Sequence, residues 1–358
     1  MRIALLTPMK PPDHPVPSGD RTFARLIRAA LVKGGHEVDL PSTLTTWCRT
    51  PEDLPQIEAA AAAEVERITA RWRAEGPPDT VLTYHNYHKA PDLIGPALAR
   101  TFALPFAIVE PSRAPRRAEG PWARGFALAD DALAAAGALG AVTTHDAKAL
   151  YAHAPDKVRS LPPFIDTEPF RRARTPRSGA IVSAAMFRPG RKADSVRVLA
   201  AAYTRMRARR PDVRLTLAGD GAERAALEPL FPPGTLIGLL SQDALADLYA
   251  CSSLFVWPAI DEPFGFTFLE AQAAGLPVVA GRTRGVVDVV LDNGTGRLVT
   301  PDDPAAIAAA TLELLFHRDR LTAFSARAVA FAAQNDLNAG LARLNALIAA
   351  AARRNAAR

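Results

Sequence analysis

The chain has 358 residues, of which 49% are apolar and 22% charged, and a formal net charge of +6. That composition supports buried cores and excludes a disordered tail, and the length suits two or three domains. No uncharged apolar run of about 18 residues is present, so no membrane-spanning helix is expected. The N-terminal run Ile3–Thr7 stops at Pro8, short of a secretory signal. Two cysteines, Cys48 and Cys251, are too few for a disulfide framework or a cysteine-rich zinc site and suit a reducing cytoplasm. Of 43 basic residues only six are Lys. The basic balance therefore reads as an arginine-rich compositional bias, and no basic run with interleaved aromatics points to nucleic acid.

In chain order, Ile3–Thr7 reads as a buried parallel strand. Phe23, Leu26, Ile27, Ala30 and Leu31 recur at helical spacing across 18–33, and Gly34-Gly35 ends that helix. Val38–Leu40 is a strand, 52–75 a long helix stopped by Gly76-Pro77-Pro78, and Val81–Thr83 a strand before a helix at 91–102. Phe106–Val109, Ala141–Thr144 and Val158–Leu161 continue the alternation. Asp166–Gly179, with Pro169, Pro176 and four arginines, reads as a linker. The rhythm then restarts. Strands are expected at Ala180–Ser183, Val213–Leu217, Leu236-Ile237, Leu254–Trp257 and Pro277–Ala280. Helices are expected at 192–209, 222–230, 242–251 and 266–274, and again from Asp303-Pro304 onward.

This pattern predicts an α/β protein of two doubly wound domains. The domains are 1–165 and 180–330, joined by 166–179, with a C-terminal helix in 331–358 expected to pack back toward the first. A cleft between them, at the carboxyl ends of the strands, is the expected ligand site.

The most informative stretch is Asp261-Glu262-Pro263-Phe264-Gly265-Phe266-Thr267-Phe268-Leu269-Glu270, followed by Gly275-Leu276-Pro277-Val278-Val279. A loop here ends in Gly265 and opens a helix. Gly265 permits close backbone approach, and the first turn's N–H groups favour an anion such as a diphosphate. Glu262 and Glu270 suit hydroxyl-bearing ligands, or else they are solvated residues favoured near a helix N-terminus.

The whole stretch resembles the E-x7-E signature of the retaining glycosyltransferases of family four, which have the GT-B fold. The resemblance implies a nucleotide-sugar donor held mainly by the second domain. Glu270 would accept the ribose hydroxyls and Glu262 would contact the transferred sugar. Backbone amides near Phe264, Gly265, Phe266 and Thr267 would hold the sugar and diphosphate. In Arg188-Pro189-Gly190-Arg191-Lys192-Ala193, Lys192 falls at the family's phosphate-gripping lysine. The family's arginine position is Met186 here, so Arg188 or Arg191 would substitute. Leu217–Arg224 resembles the family's G-x-G turn, and backbone groups near Ile237 and Leu239 would pair with the nucleotide base. The family's Gly-Gly appears as Arg284-Gly285.

The first domain matches more loosely. Its glycine-rich loop is Pro15–Arg21, where Gly19 fits and Asp20 stands for the second glycine. Tyr84-His85 follows the strand expected to end at Thr83 and is placed on the acceptor side. His85 would orient an acceptor hydroxyl, or it is a hydrogen-bonded loop residue. Glu110 stands where many members have His, as a sugar or acceptor contact or as a structural residue. Arg113, Arg116, Arg117 and Arg124 with Trp122 and Phe126 suit peripheral contact with an anionic membrane or a lipid-linked acceptor, or reflect the arginine bias.

There is no D-x-D in the chain. With Lys192 and a helix N-terminus to hold the diphosphate, the resemblance implies a metal-independent reaction without a cofactor. The expected activity is retaining transfer of a sugar from a nucleoside diphosphate to a hydroxyl acceptor, whether glycan, glycolipid or small molecule. The rival readings are a GT-B nucleotide-sugar epimerase and a degenerate donor-binding subunit.

Overall fold

The computed structural model describes residues 1–176 and 179–357. They divide into two compact units, Met1–Pro162 with Leu337–Arg358, and Pro163–Asp336.

The first unit runs β1 (Arg2–Leu6), α1 (Gly19–Lys33), β2 (Glu37–Asp39), α2 (Leu54–Glu75), β3 (Thr80–Asn86) and α3 (Gly95–Phe102). It continues with β4 (Phe106–Pro111), α4 (Ala123–Ala135), β5 (Ala138–Ala141), α5 (Thr144–His153) and β6 (Val158–Ser160). The strands form a parallel sheet in the order β2-β1-β3-β4-β5-β6. Most residues of β1, β3, β4 and β5 are buried, as a sheet covered on both faces requires. The order reverses between β1 and β3, and that crevice is the unit's switch point.

Helix α1 shows why the sequence pattern works. Ser18 caps it by accepting from Arg21 N at 3.1 Å, Phe23, Ile27, Ala30 and Leu31 are buried, and Gly35 at φ 76° carries the chain out of it.

The second unit runs β7 (Ala180–Ala184), α6 (Arg191–Arg209), β8 (Arg214–Ala218), α7 (Arg224–Leu227), β9 (Leu236–Gly238) and α8 (Gln242–Ala250). Then come β10 (Leu254–Trp257), α9 (Phe266–Ala273), β11 (Val278–Gly281), α10 (Val286–Val289), β12 (Gly296–Val299), α11 (Pro304–Phe316) and α12 (Arg318–Ala333). Its parallel sheet has the order β12-β11-β10-β7-β8-β9, with the switch point between β7 and β10. Asp303 caps α11 by accepting from Ala305 N and Ala306 N.

Helix α13 (Leu337–Ala356) belongs to the first unit. Small residues seat it: a Cβ on Gly137 would stand 3.0 Å from the Ala351 backbone, and one on Gly34 would meet Leu341 at 2.5 Å.

Several elements differ from the sequence expectations. The unit boundary falls after Pro162, so the segment 166–179 read as a linker is counted with the second unit. Phe170 stacks on Tyr249 with ring centroids 6.0 Å apart, and Arg174 bonds the carbonyls of Ser252 and Gly275 and the Ser325 hydroxyl. Arg177 and Ser178, inside that segment, lie outside the described residues. Strand β3 continues past Thr83 to Asn86, and β5 begins at Ala138 rather than Ala141.

A buried polar network fixes the loop after β3. Asp92 accepts from Thr83 Oγ1 at 2.6 Å and from the N–H groups of Ile94 and Gly95, while its own N–H donates to Asn86 Oδ1 at 2.9 Å. Asn86 in turn donates to the Ala129 carbonyl at 3.0 Å. Asp92→Ala leaves three buried donors without their acceptor. It is expected to cost about 2–4 kcal/mol and to lower the melting temperature by roughly 5–15 °C.

Candidate functional site

Two loops frame the switch point of the second unit. The one after β7 reaches α6 at Gly190, and the one after β10 reaches α9 at Gly265. Both glycines have left-handed backbone, φ 80° and 78°, and neither helix has a side-chain cap at that position. Two helix N-termini therefore bring their partial positive charge to the same crevice.

Lys192, in the first turn of α6, forms an ion pair with Glu262 of the second loop. Glu262 is only 10% exposed and also accepts from Trp257 Nε1 at 3.3 Å, while Lys192 keeps 33% of its surface. The Lys192 ammonium lies 5.7 Å from the centroid of the Trp257 ring. A cation, an acid and an indole thus meet where the sequence placed only the cation and the acid.

The loop bearing Glu262 is pinned from two sides. Ile260 N donates to Ser195 Oγ of α6 at 3.0 Å, and Thr283 Oγ1 donates to the Glu262 carbonyl at 3.3 Å. Arg284 pairs with Asp261 at 3.2 Å. Ala259 and Asp261 have φ of 57° and 54°, a strained conformation for side-chain-bearing residues that these anchors hold in place. Gly285 is required by contact rather than by its backbone angle, since a Cβ there would stand 1.4 Å from the Pro263 carbonyl oxygen.

The loop after β7 rests on the turn after β8. Ala185 N donates to the Ala218 carbonyl and Phe187 N to the Asp220 carbonyl, at 3.0 and 2.9 Å. Cβ atoms on Gly219 and Gly221 would meet the Ala185 and Phe187 carbonyl oxygens at 1.8 and 2.4 Å. The G-x-G turn is thus the floor under the lysine loop.

The remaining donor-side candidates are placed as follows. Phe264 and Phe266 are buried and pack edge to face with centroids 5.0 Å apart, so their side chains support the loop. Thr267 is half-buried in the first turn of α9. Ile237 and Leu239 are 41% and 79% exposed, an apolar ledge at the end of β9. Arg188 and Arg191 are exposed, Arg191 standing 3.9 Å from Asp194. Glu270 lies on α9, and burial pushes its carboxyl up to about 7.

In the first unit the switch point gathers Asp20 from α1 and Tyr84, His85 and Glu110 from the ends of β3 and β4. His85 Nε2 is 3.5 Å from Asp20 Oδ1, and His85 Nδ1 is 3.2 Å from the Glu110 carbonyl oxygen. Tyr84, expected on the acceptor side, is buried against Phe23 with ring centroids 5.4 Å apart, because β3 carries it into the core. Gly19 opens α1 beside the Ser18 cap, with nothing within 4 Å of a Cβ placed there. Asp20 was legible only as a departure from glycine, and its partnership with His85 had no sequence signal.

The basic-aromatic segment is partly neutralised. Arg113 makes a two-pronged pair with Asp130 at 2.7 and 2.8 Å, Arg124 does the same with Glu58, and Trp122 is buried. No helix among the described residues is long and apolar enough to cross a membrane, and none of their His, Cys, Asp and Glu side chains form a group of three or more able to hold a metal ion.

Residues 180–317 match the family model described as "Glycosyl transferases group 1". A D-inositol 3-phosphate glycosyltransferase of Arthrobacter sp. is 28% identical, over 93% of this chain and 91% of that protein. Sulfoquinovosyl transferase SQD2 of Arabidopsis thaliana is 36% identical over 30% of this chain, which spans 22% of that protein. A GDP-mannose-dependent alpha-mannosyltransferase of Mycolicibacterium smegmatis is 33% identical over 47% of this chain and 43% of its own length. Among solved structures, sucrose-phosphate synthase from Thermosynechococcus elongatus superposes with a TM-score of 0.71 over 97% of this chain and 98% of its own, at 20% identity. Anabaena HepE in complex with UDP gives 0.71 over 98% and 100%, at 16% identity. The two parallel six-stranded sheets with flanking helices are the GT-B fold.

Proposed function

We propose that the chain is a retaining, metal-independent glycosyltransferase that moves a sugar from a nucleoside diphosphate to a hydroxyl acceptor. The observation that carries this reading is the Lys192–Glu262 pair between two helix N-termini at the switch point of the second unit. That unit also holds the stretch matching the group 1 family model. Support for the donor class comes from relatives named as glycosyltransferases and from a structural neighbour solved with UDP.

In this reading Lys192 and the α6 and α9 termini balance the charge that grows on the leaving diphosphate, the largest contribution to the rate. The leaving phosphate helps to deprotonate the acceptor, so no protein nucleophile is needed. Arg188 supplements Lys192. Glu270 accepts the ribose hydroxyls, and the ledge of Ile237 and Leu239 lies against the base. Glu262 contacts the transferred sugar, with backbone groups at Gly265 and Thr267 holding the diphosphate side. The acceptor is a sugar, polyol or lipid-linked hydroxyl on the side of the first unit.

Lys192 is paired with Glu262, so a diphosphate competes with that carboxylate for it. Glu262→Gln therefore frees the ammonium. Bare nucleoside diphosphate is expected to bind as tightly as to wild type or tighter, while turnover of the nucleotide sugar falls about tenfold or more. Calorimetry beside a nucleoside diphosphate release assay reads both, and weakened binding of the bare nucleotide would contradict the competition.

Glu270 gives a pH test. Its carboxyl is raised to about 7 by burial, so the free protein holds a proton there at mildly acidic pH, and hydrogen bonds from a ribose favour the carboxylate. Nucleotide affinity is expected to rise as pH increases through about 7, and Glu270→Gln to flatten that rise. The same shift destabilises the fold progressively from about pH 4.5 up to about 7, because the folded state holds the proton more tightly than the unfolded chain. An unchanged pH dependence in the variant would remove the ribose assignment. The whole reading is tested by incubating the protein with UDP-, GDP- and ADP-sugars and a panel of alcohol acceptors in EDTA, with nucleoside diphosphate and a glycoside of retained configuration as the expected products.

A further inference from the structure

Trp257 is the last residue of β10 and is 2% exposed. The chain leaves it through Pro258 and turns back at once, with left-handed backbone at Ala259 and Asp261 and a 3.2 Å bond from Glu262 N to the Ala259 carbonyl. That tight return brings the Glu262 carboxylate to the indole N–H of the strand the loop has just left. The turn is packed against β11, where a Cβ on Gly281 would stand 1.9 Å from the Pro258 carbonyl oxygen.

Two donors reach one oxygen here. Glu262 Oε2 accepts from Lys192 Nζ and, at 3.3 Å, from Trp257 Nε1. The donors differ in kind. Lys192 has a long flexible stem and keeps 33% of its surface. The indole is fixed in the core and has a single N–H that can only donate. The ammonium also lies 5.7 Å from the ring centroid, so the face of the indole meets the cation while its edge meets the acid. A carboxylate that is only 10% exposed is costly to leave without a donor. When a diphosphate draws Lys192 away, the indole N–H is the donor that stays.

We propose that Trp257 is a positioning residue, whose indole N–H keeps the Glu262 carboxylate in place while Lys192 passes from that carboxylate to the diphosphate of the donor. This rests on the glycosyltransferase reading and extends it to a side chain that touches no substrate. Glu262 and the diphosphate compete for one ammonium, and Trp257 lowers the cost of giving it up.

The test compares the full chain as wild type, Trp257→Phe, Glu262→Gln and the double variant. Calorimetry with UDP, GDP and ADP finds the nucleotide that binds wild type, and that nucleotide is carried through the series. Phenylalanine keeps an aromatic ring in the core and loses the N–H. Trp257→Phe is expected to weaken the bare nucleotide about tenfold, since binding then leaves the Glu262 carboxylate without its indole donor. In Glu262→Gln, where no charge is left behind, the same substitution is expected to cost about threefold or less. A purely packing role for Trp257 would weaken binding equally in both backgrounds, and that result overturns the proposal. So does a Trp257→Phe variant that binds as tightly as wild type.

The indole N–H of wild type is also read directly by NMR. Its signal is the one lost in Trp257→Phe or, if that variant does not fold, the one kept when Trp47, Trp72 and Trp122 are replaced in turn. On saturation with the nucleoside diphosphate the signal is expected to move downfield and to stay protected from solvent exchange, because the bond tightens once Lys192 no longer shares the oxygen. A signal that stays where it was, or that moves upfield and exchanges faster, overturns the proposal. A wild type that binds none of the three nucleotides removes the proposal together with the donor-site reading.

Discussion

Lys192→Ala is expected to slow nucleoside diphosphate release from a nucleotide sugar by about a hundred- to a thousandfold, the range seen when one preorganised charge-stabilising group is lost. The side chain is in the first turn of an uncapped helix and faces a second uncapped helix across the Lys192–Glu262 pair. Part of any effect will be structural, because the variant leaves Glu262 nearly buried with only the Trp257 N–H beside it. The double variant Lys192→Ala/Glu262→Gln separates the two. It removes the uncompensated charge, so its melting temperature is expected to return to within a few degrees of wild type while turnover stays low. Recovery of turnover to the level of Glu262→Gln alone, along with stability, would show that Lys192 serves only to neutralise Glu262.

Gly285→Ala should have the second large effect, although it adds a single methyl group and removes no polar contact. The φ of −95° at Gly285 is open to any residue, so no backbone strain is involved. The added carbon would stand 1.4 Å from the Pro263 carbonyl oxygen and 3.2 Å from Phe264 Cα. Backbone must move, and the backbone that moves carries Glu262 and leads into Gly265. A loss of about 2–4 kcal/mol, or roughly 5–15 °C in melting temperature, is expected. Stabilisation by nucleotides should fall with it. A variant that melts like wild type and keeps its nucleotide response would mean that the loop after β10 is not held against Gly285 in solution.

The sequence made the architecture legible where its signals were strong and left it dark where they were weak. Runs such as Ile3–Leu6 and Leu254–Trp257, and the capped helix after Ser18, declare themselves through apolar continuity and side-chain caps. Strand β5, Ala-Leu-Gly-Ala, has no β-branched or aromatic residue to mark its start. Helix α4 follows an Arg- and Pro-rich stretch, and Trp122 at its N-cap position makes no side-chain capping bond. The pattern gave no start signal there.

The candidate site divides the same way. Lys192, Glu262 and Glu270 could be singled out because loop, glycine and helix start are adjacent in sequence. The indole of Trp257 over Lys192, the need for Gly285 and the link from Asp20 through His85 to Glu110 all depend on which strand lies beside which. Left-handed backbone at His85, Glu110, Ala259 and Asp261, as at Ala103 and Asn293, has no signal in the sequence, since no glycine marks it. The first four lie at or just beyond the carboxyl ends of β3, β4 and β10, beside the switch points, where local preference and the structure disagree.

Binding of a nucleoside diphosphate at the switch point of the second unit is tested most directly by a melting panel. Wild type and Lys192→Ala would be heated with UDP, GDP, ADP, their common sugars and the corresponding nucleosides. A ligand that binds only the folded state at a hundred times its dissociation constant stabilises by about 2.7 kcal/mol. A clear upward shift is expected with one nucleotide class, no shift with its nucleoside, and most of the shift lost in Lys192→Ala. A wild type that melts at the same temperature with every nucleotide, or a shift that Lys192→Ala retains in full, would contradict binding at that site.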